Sequence, residues 1–204
     1  MPASGAKPRR EQIIDESTHL FAEHGYEGTS IRIIARACGI TEAAIYRHFD
    51  SKAHLYEEVI RMKAREYDIA GHLAQLDTNL DLESVLTGMA EHILALAGKD
   101  PELMRLMFSN SLENGDSAAV LFREIRLPYI TFLTEELTQR IAHSEVRKVD
   151  PFITSRCFVG MVMDCGLNVG VWSKIDTTEF HAGDVVCNNV PIFARGLLNE
   201  ASSL

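Results

Sequence analysis

The sequence predicts an all-α protein, with an N-terminal three-helix helix-turn-helix head and a larger C-terminal helical domain. Three observations carry this. Apolar residues recur at three- and four-residue spacing along nearly the whole chain. Helix-start signals recur, including two Asp-Pro pairs at 100–101 and 150–151. No alternating strand pattern bounded by turns occurs, nor any repeat or low-complexity tract.

In chain order, Ile13, Ile14, Leu20 and Phe21 form a one-sided stripe over Arg9 to His24. Gly25 suits the left-handed position that ends such a helix, and Gly28 follows in a short turn. Thr29 or Ser30 caps a second helix that buries Ile31, Ile34, Ala35 and Cys38. Gly39 ends it, and Thr41 caps a third with Ile45 and Phe49 inward. Asp50 or Ser51 starts a long fourth helix to about His72. Two short helices separated by a glycine-containing turn of about three residues match a helix-turn-helix. Beyond it, helices are expected near 80–98, 101–113, 117–143, 151–172 and 177–198. Asp176-Thr177-Thr178-Glu179 resembles a capping box. Pro191 should kink or break the last helix, although its apolar stripe continues through that point. The domain reading is a helix-turn-helix head at 9–55, its motif at 30–49, and a C-terminal helical domain at 56–199.

Charge divides the same way. The 204 residues carry a net −9. Residues 1–52 hold seven basic and seven acidic side chains, so the remainder carries the whole negative balance. A neutral head on an acidic body suits a protein that presents only its head to a polyanion. Apolar runs reach about half a dozen residues, far short of the roughly 20 needed to span a bilayer. The N-terminus lacks the apolar region of a signal peptide. Cys38, Cys157, Cys165 and Cys187 show no paired spacing. A cytoplasmic protein with reduced thiols is expected.

The stretch Ala37 to Lys52 (ACGITEAAIYRHFDSK) places small residues first and aromatic and basic ones last. A major groove admits one helix, and the second helix of the motif offers its N-terminal part to base edges. Ala43 and Ala44 allow close backbone approach, and their methyls suit thymine methyl groups. The Thr41 hydroxyl suits phosphate oxygens, Tyr46 and His48 reach sideways to the strand, and Lys52 adds a point charge. Glu42 either accepts from cytosine N4 or favours the helix N-terminus. Arg47 is either a phosphate contact or a solvated charge. Lys7, Arg9 and Arg10 form either a phosphate-attracting arm or a tail.

Thr29-Ser30-Ile31-Arg32-Ile33-Ile34-Ala35, Gly39-Ile40-Thr41, Ile45-Tyr46-Arg47-His48-Phe49 and Ser51-Lys52 resemble the N-terminal signature of TetR-type transcriptional repressors. The resemblance covers about residues 9–60. It implies an all-helical homodimer with a ligand-responsive body. It also implies DNA contacts from Ser30, Arg32, Thr41, Glu42, Ala43, Ala44, Tyr46 and His48, with Lys52 on phosphate. The ending Val190 to Leu198 is similar to C-terminal helices of some members, from which Pro191 departs.

In the body, 151–172 is apolar on nearly every side and must be covered all round. Paired with 177–198 it could form half of a four-helix bundle completed by a second copy, or an intramolecular core. The dimer reading assigns Cys157, Gly160, Leu167, Val171, Val186, Val190, Phe193 and Leu197 to the interface. Met89, Leu103, Met107, Phe108, Phe122 and Met163 are the candidate effector-binding residues, since flexible methionines line adaptable pockets. Ordinary packing is the competing account. His92, Asn110, Asp164 and Asn168 are candidate polar contacts within such a pocket.

No catalytic, phosphate-loop or metal-ligand motif occurs, so neither an enzyme nor a cofactor or metal is expected. The expected function is a DNA-binding regulator, a homodimeric repressor of a palindromic operator released by a small lipophilic effector. Two alternatives are a thiol redox sensor using Cys157 and Cys165, and a DNA-binding protein controlled by another protein.

Overall fold

The computed structural model describes residues 7–111, 116–170, 172 and 181–199; at 108–111, 116 and 170 it describes backbone alone. Every regular element among them is helical. They run α1 (Arg9–Gly28), α2 (Ile31–Ala37), α3 (Glu42–Tyr46), α4 (Lys52–Glu66), α5 (Ile69–Gln75), α6 (Leu82–Lys99), α7 (Pro101–Ser111) and α8 (Asp116–Leu121). A π-helical turn (Phe122–Arg126) then precedes α9 (Leu127–Ala142), α10 (Pro151–Gly170) and α11 (Ala182–Leu197).

The chain forms two compact units. One comprises the chain up to Glu66 with Arg105–Glu124, the other Tyr67–Met104 with the chain from Ile125 onward. In the first, α1 packs on α4 and α2, α2 on α3, and α8 on α4. Ile13, Phe21, Ile34, Ile45, Phe49, Leu55 and Val59 are buried there. The rings of Phe21, Tyr26 and Tyr56 meet edge-on or stacked, with Phe21 and Tyr56 5.1 Å apart.

In the second unit, α10 contacts α6, α9 and α11, and α11 also contacts α6. Gly166 lets α10 approach α6 closely, since a Cβ there would stand 2.9 Å from that of Ala97. Arg140 of α9 pins the loop before α6. Its guanidinium donates to Glu136 at 2.6 Å, to Glu145, and to the carbonyl oxygens of Leu80 and Thr78 at 2.6 and 3.0 Å.

The predicted caps form at five starts. Ser30, Thr41, Ser51, Asp100 and Asp150 accept from the backbone N–H three residues on, at 2.9–3.3 Å. Thr29 instead donates to the carbonyls of Leu20 and Gly25. Three expectations differ. The fourth helix stops at Glu66, because Asp68 adopts a left-handed conformation (φ 47°) and α5 begins anew. The stretch expected as one helix at 117–143 contains the π turn. Pro128 cannot donate to the Glu124 carbonyl, and its ring crowds a normal turn there. Pro191, by contrast, leaves α11 running from Ala182 to Leu197. The carbonyl that its missing N–H would have satisfied belongs to exposed Cys187, within reach of water. The sequence at 176–179, expected to be a capping box, lies outside the described residues.

Candidate nucleic-acid interface

The motif is held by its turn. After α2, Gly39 N–H bonds the Arg36 carbonyl and Ile40 N–H the Ala35 carbonyl, at 3.1 and 2.9 Å. Gly39 has φ 64°, and a Cβ on it would meet nothing within 4 Å. The requirement for glycine is therefore conformational rather than steric. Ile45 and Phe49 are buried, anchoring α3 by one side.

That anchoring turns the other side to solvent. Ser30, Arg32, Thr41, Glu42, Ala43, Tyr46, Arg47 and His48 are exposed, and Ala44 is partly exposed. Tyr46 is 50% exposed, large for an aromatic without a protein surface to meet. Arg32 and Arg47 enter no ion pair among the described residues, so both charges face outward uncompensated. Ala43 and Ala44 lie between them as a small-residue strip.

Lys52 is half-buried. Its ammonium donates to the Tyr26 carbonyl at 2.8 Å and lies 4.0 Å over the Tyr26 ring, tying the start of α4 to the end of α1. Of the basic residues at the N-terminus, Arg9 and Arg10 are helical rather than a tail. Arg9 and Arg10 occupy the first turn of α1; Arg10 pairs with Glu58 and lies 5.0 Å over the Phe49 ring, and Lys7 pairs with Asp15. The Arg10 guanidinium holds the Glu58 carboxyl below its usual range. Sequence reading missed the reciprocal cap at α4, where His54 Nδ1 accepts from the Asp50 N–H at 3.2 Å while Ser51 Oγ accepts from His54 N–H.

The residues expected to pair two copies divide between surface and core. Cys157 is exposed, and Gly160, Leu167, Val186 and Phe193 are half-buried. Val190 and Leu197 point into their own unit, at 1% and 5% exposure, so they are spent on the protomer core rather than a partner. The side chain of Val171 lies outside the described residues. Phe152, Ile153 and Ile192, none of them singled out from sequence, are the large apolar side chains that α10 and α11 leave outside, at 47%, 59% and 67% exposure.

Of the residues expected to meet an effector, Met89, Leu103 and Met163 are buried in the second unit, whereas Met107 and Phe122 are half-buried in the first. The side chains of Phe108 and Asn110 lie outside the described residues. Asp164 is exposed and accepts at its carbonyl from the Asn168 side chain. His92 stacks on His72 with ring centroids 3.8 Å apart, and its Nε2 and Nδ1 meet the Tyr67 carbonyl and the Tyr129 hydroxyl at 3.2 and 2.7 Å.

A capped short helix with small residues outward, after a glycine turn, has the form of a helix-turn-helix motif. Residues 13–59 match the family model described as bacterial regulatory proteins, tetR family. That match falls on the helix-turn-helix head, from α1 to α4.

Among its relatives is the HTH-type transcriptional repressor KstR2 of Rhodococcus jostii, 37% identical over 97 residues. That match covers 44% of this chain and 46% of KstR2, so the chain aligns with about half of that relative's length. The repressor AcnR of Corynebacterium glutamicum is 28% identical over 173 residues, covering 79% and 82% of the two chains. Both are named as repressors rather than enzymes. AibR, solved in complex with isovaleryl coenzyme A and operator DNA, superposes with a TM-score of 0.69 at 21% identity, covering 91% of this chain and 97% of AibR. At that identity the likeness is one of fold. Among the described residues no helix is long and apolar enough to cross a membrane.

Proposed function

We propose that this chain is a homodimeric repressor that reads a palindromic operator with α3 and is released from it by a small lipophilic effector. The single observation carrying the DNA half is the outward strip Thr41, Ala43, Ala44 and Tyr46 on a helix anchored by Ile45. Ser30, Arg32, Arg47 and His48 share its exposed setting and serve as flanking strand contacts, Lys52 as a phosphate ligand, and Glu42 as a cytosine reader or a helix-start charge. The pairing surface is the outer side of α10 and α11 around Phe152, Ile153, Cys157 and Ile192. Exposed side chains of that size on adjacent helices favour a covering partner. A two-fold dimer would present two α3 helices to successive grooves of one DNA face.

For the effector, two facts support an acyl-type ligand: AibR is solved with isovaleryl coenzyme A, and Met89, Leu103 and Met163 place soft side chains in the second unit. An effector lowers operator affinity by the ratio of its affinities for the two head spacings, and a coupling of about 1–3 kcal/mol gives about 5–150-fold. Thiol sensing is less favoured. Burial pushes the thiols of Cys38 and Cys165 up, away from the reactive thiolate.

The test is Ala44→Glu, which sets a carboxylate against the groove. On DNA selected for binding by the native protein, affinity should fall at least about 100-fold while sedimentation still shows the dimer. Retained binding would show that α3 is not the reading helix.

A further inference from the structure

In the second unit, buried Arg140 and half-buried Arg126 carry guanidinium groups that differ in their partners. Arg140 is surrounded by Glu136, Glu145 and two carbonyl oxygens. Arg126, the last residue of the π turn, has none of this. Its Nε is shut off from solvent without a hydrogen bond, and no hydrogen bond or ion pair reaches its other nitrogens among the described residues. Among the described residues, the charged side chain that it feels is of its own sign, Arg156 of α10. Gly160 lies one helical turn beyond Arg156, and a Cβ on Gly160 would stand 3.8 Å from an Arg126 terminal nitrogen. The Arg156 guanidinium turns the other way along α10, 5.7 Å over the Phe152 ring.

A folded chain rarely shuts a guanidinium nitrogen off from solvent without a partner, because its desolvation is then not offset. Such an arrangement is retained where the missing counter-charge arrives from outside. The local backbone fits this reading. Pro128 imposes the π turn that ends in Arg126, and π turns recur at functional sites. Burial, followed by Arg156, lowers the Arg126 pKa, as expected of a cation lacking its anion.

We propose that Arg126 binds the anionic head group of the effector, which is therefore an amphipathic acid, a carboxylate or phosphate carried on an apolar chain. This rests on the reading of the chain as an effector-released repressor. Arg126 supplies the planar, two-nitrogen fork that either anion accepts. The same residue makes the ligand-free protein less stable than it could be.

Calorimetric titration of the full-length protein with decanoate, decanoyl-CoA, CoA and decanol tests this, alongside release of selected operator DNA. At least one of decanoate and decanoyl-CoA should bind the native protein more tightly than decanol, and the stronger of the two identifies carboxylate or phosphate as the head. Arg126→Met should bind that ligand at least about 10-fold more weakly, with decanol unchanged and the ligand-free Tm raised by about 2–4 °C. Arg126→Lys, which keeps the charge but not the fork, should fall between.

Equal binding by the Met variant, or no preference of the native protein for either acid over decanol, overturns the site. Operator release by decanol would then leave the effector-released repressor intact. Arg126-dependent binding that leaves the native protein on its operator has the opposite meaning: the anion site stands and the release function falls.

Discussion

Lys52 has two claims on its ammonium group. Within the protein it donates to the Tyr26 carbonyl and lies over the Tyr26 ring, yet an ammonium has three N–H donors and the side chain is only half-buried. It can therefore hold α1 to α4 and still neutralise a phosphate. Lys52→Ala should weaken binding to every DNA sequence and reduce the slope of log K against log salt by about one. Loss of its contacts with Tyr26 should also destabilise the protein by about 1 kcal/mol. A lower Tm with an unchanged salt slope would make Lys52 purely structural. Arg32 and Arg47 have no such double duty, because neither is paired among the described residues. At this scale sequence reading identified residue types well but not their partners. Nothing in the order of residues tells that Lys52 turns to a carbonyl twenty-six positions earlier, or that Arg10 turns to Glu58.

Between elements, the polar cluster joining α5, α6 and α9 is set to respond to pH. His92 Nε2 must donate to the Tyr67 carbonyl, so its Nδ1 accepts from the Tyr129 hydroxyl. Burial and then the stacked His72 lower the His92 pKa; Asp68 and Lys99 act in opposite directions behind them. The folded state thus favours neutral His92. Its contribution to stability is present above the unfolded imidazole pKa of about 6.5 and is lost as pH falls through the lower folded value. Thermal unfolding between pH 7.5 and 5 should show Tm falling more steeply in the native protein than in His92→Gln. Identical slopes would mean that His92 keeps its ordinary pKa.

Helix starts were readable because a cap acts within three residues, as at Thr41 and Asp150. Interruptions depended on what surrounds them. Pro191 sits in α11 where the freed carbonyl belongs to an exposed residue, whereas Pro128 falls where the chain widens into a π turn. The end of α4 rests on a left-handed Asp68, a conformation that aspartate tolerates but its identity alone does not announce. Apolar spacing on α11 was correct as a stripe, yet Val190 and Leu197 cover their own unit and Ile192 is left outside. Period separates two faces of a helix without saying which neighbour each will meet.

For the molecule as a whole, the chain passes between the two units three times, after Glu66, after Met104 and after Glu124. The last passage falls inside the π turn that ends in Arg126. Ligand binding at Arg126 would thus bear on a segment whose earlier residues belong to the DNA-binding unit. That linkage, the acidic body and the exposed apolar side chains of α10 and α11 are consistent with one design, in which a symmetric pair holds two α3 helices at a fixed separation. Selection of bound sequences from random duplex DNA tests it most directly. An enriched inverted repeat, with half-site centres about 34–36 Å apart or a multiple of that spacing, is the result expected. Enrichment of a single unrepeated site, or none at all, would contradict a paired α3 reading DNA from a two-fold dimer.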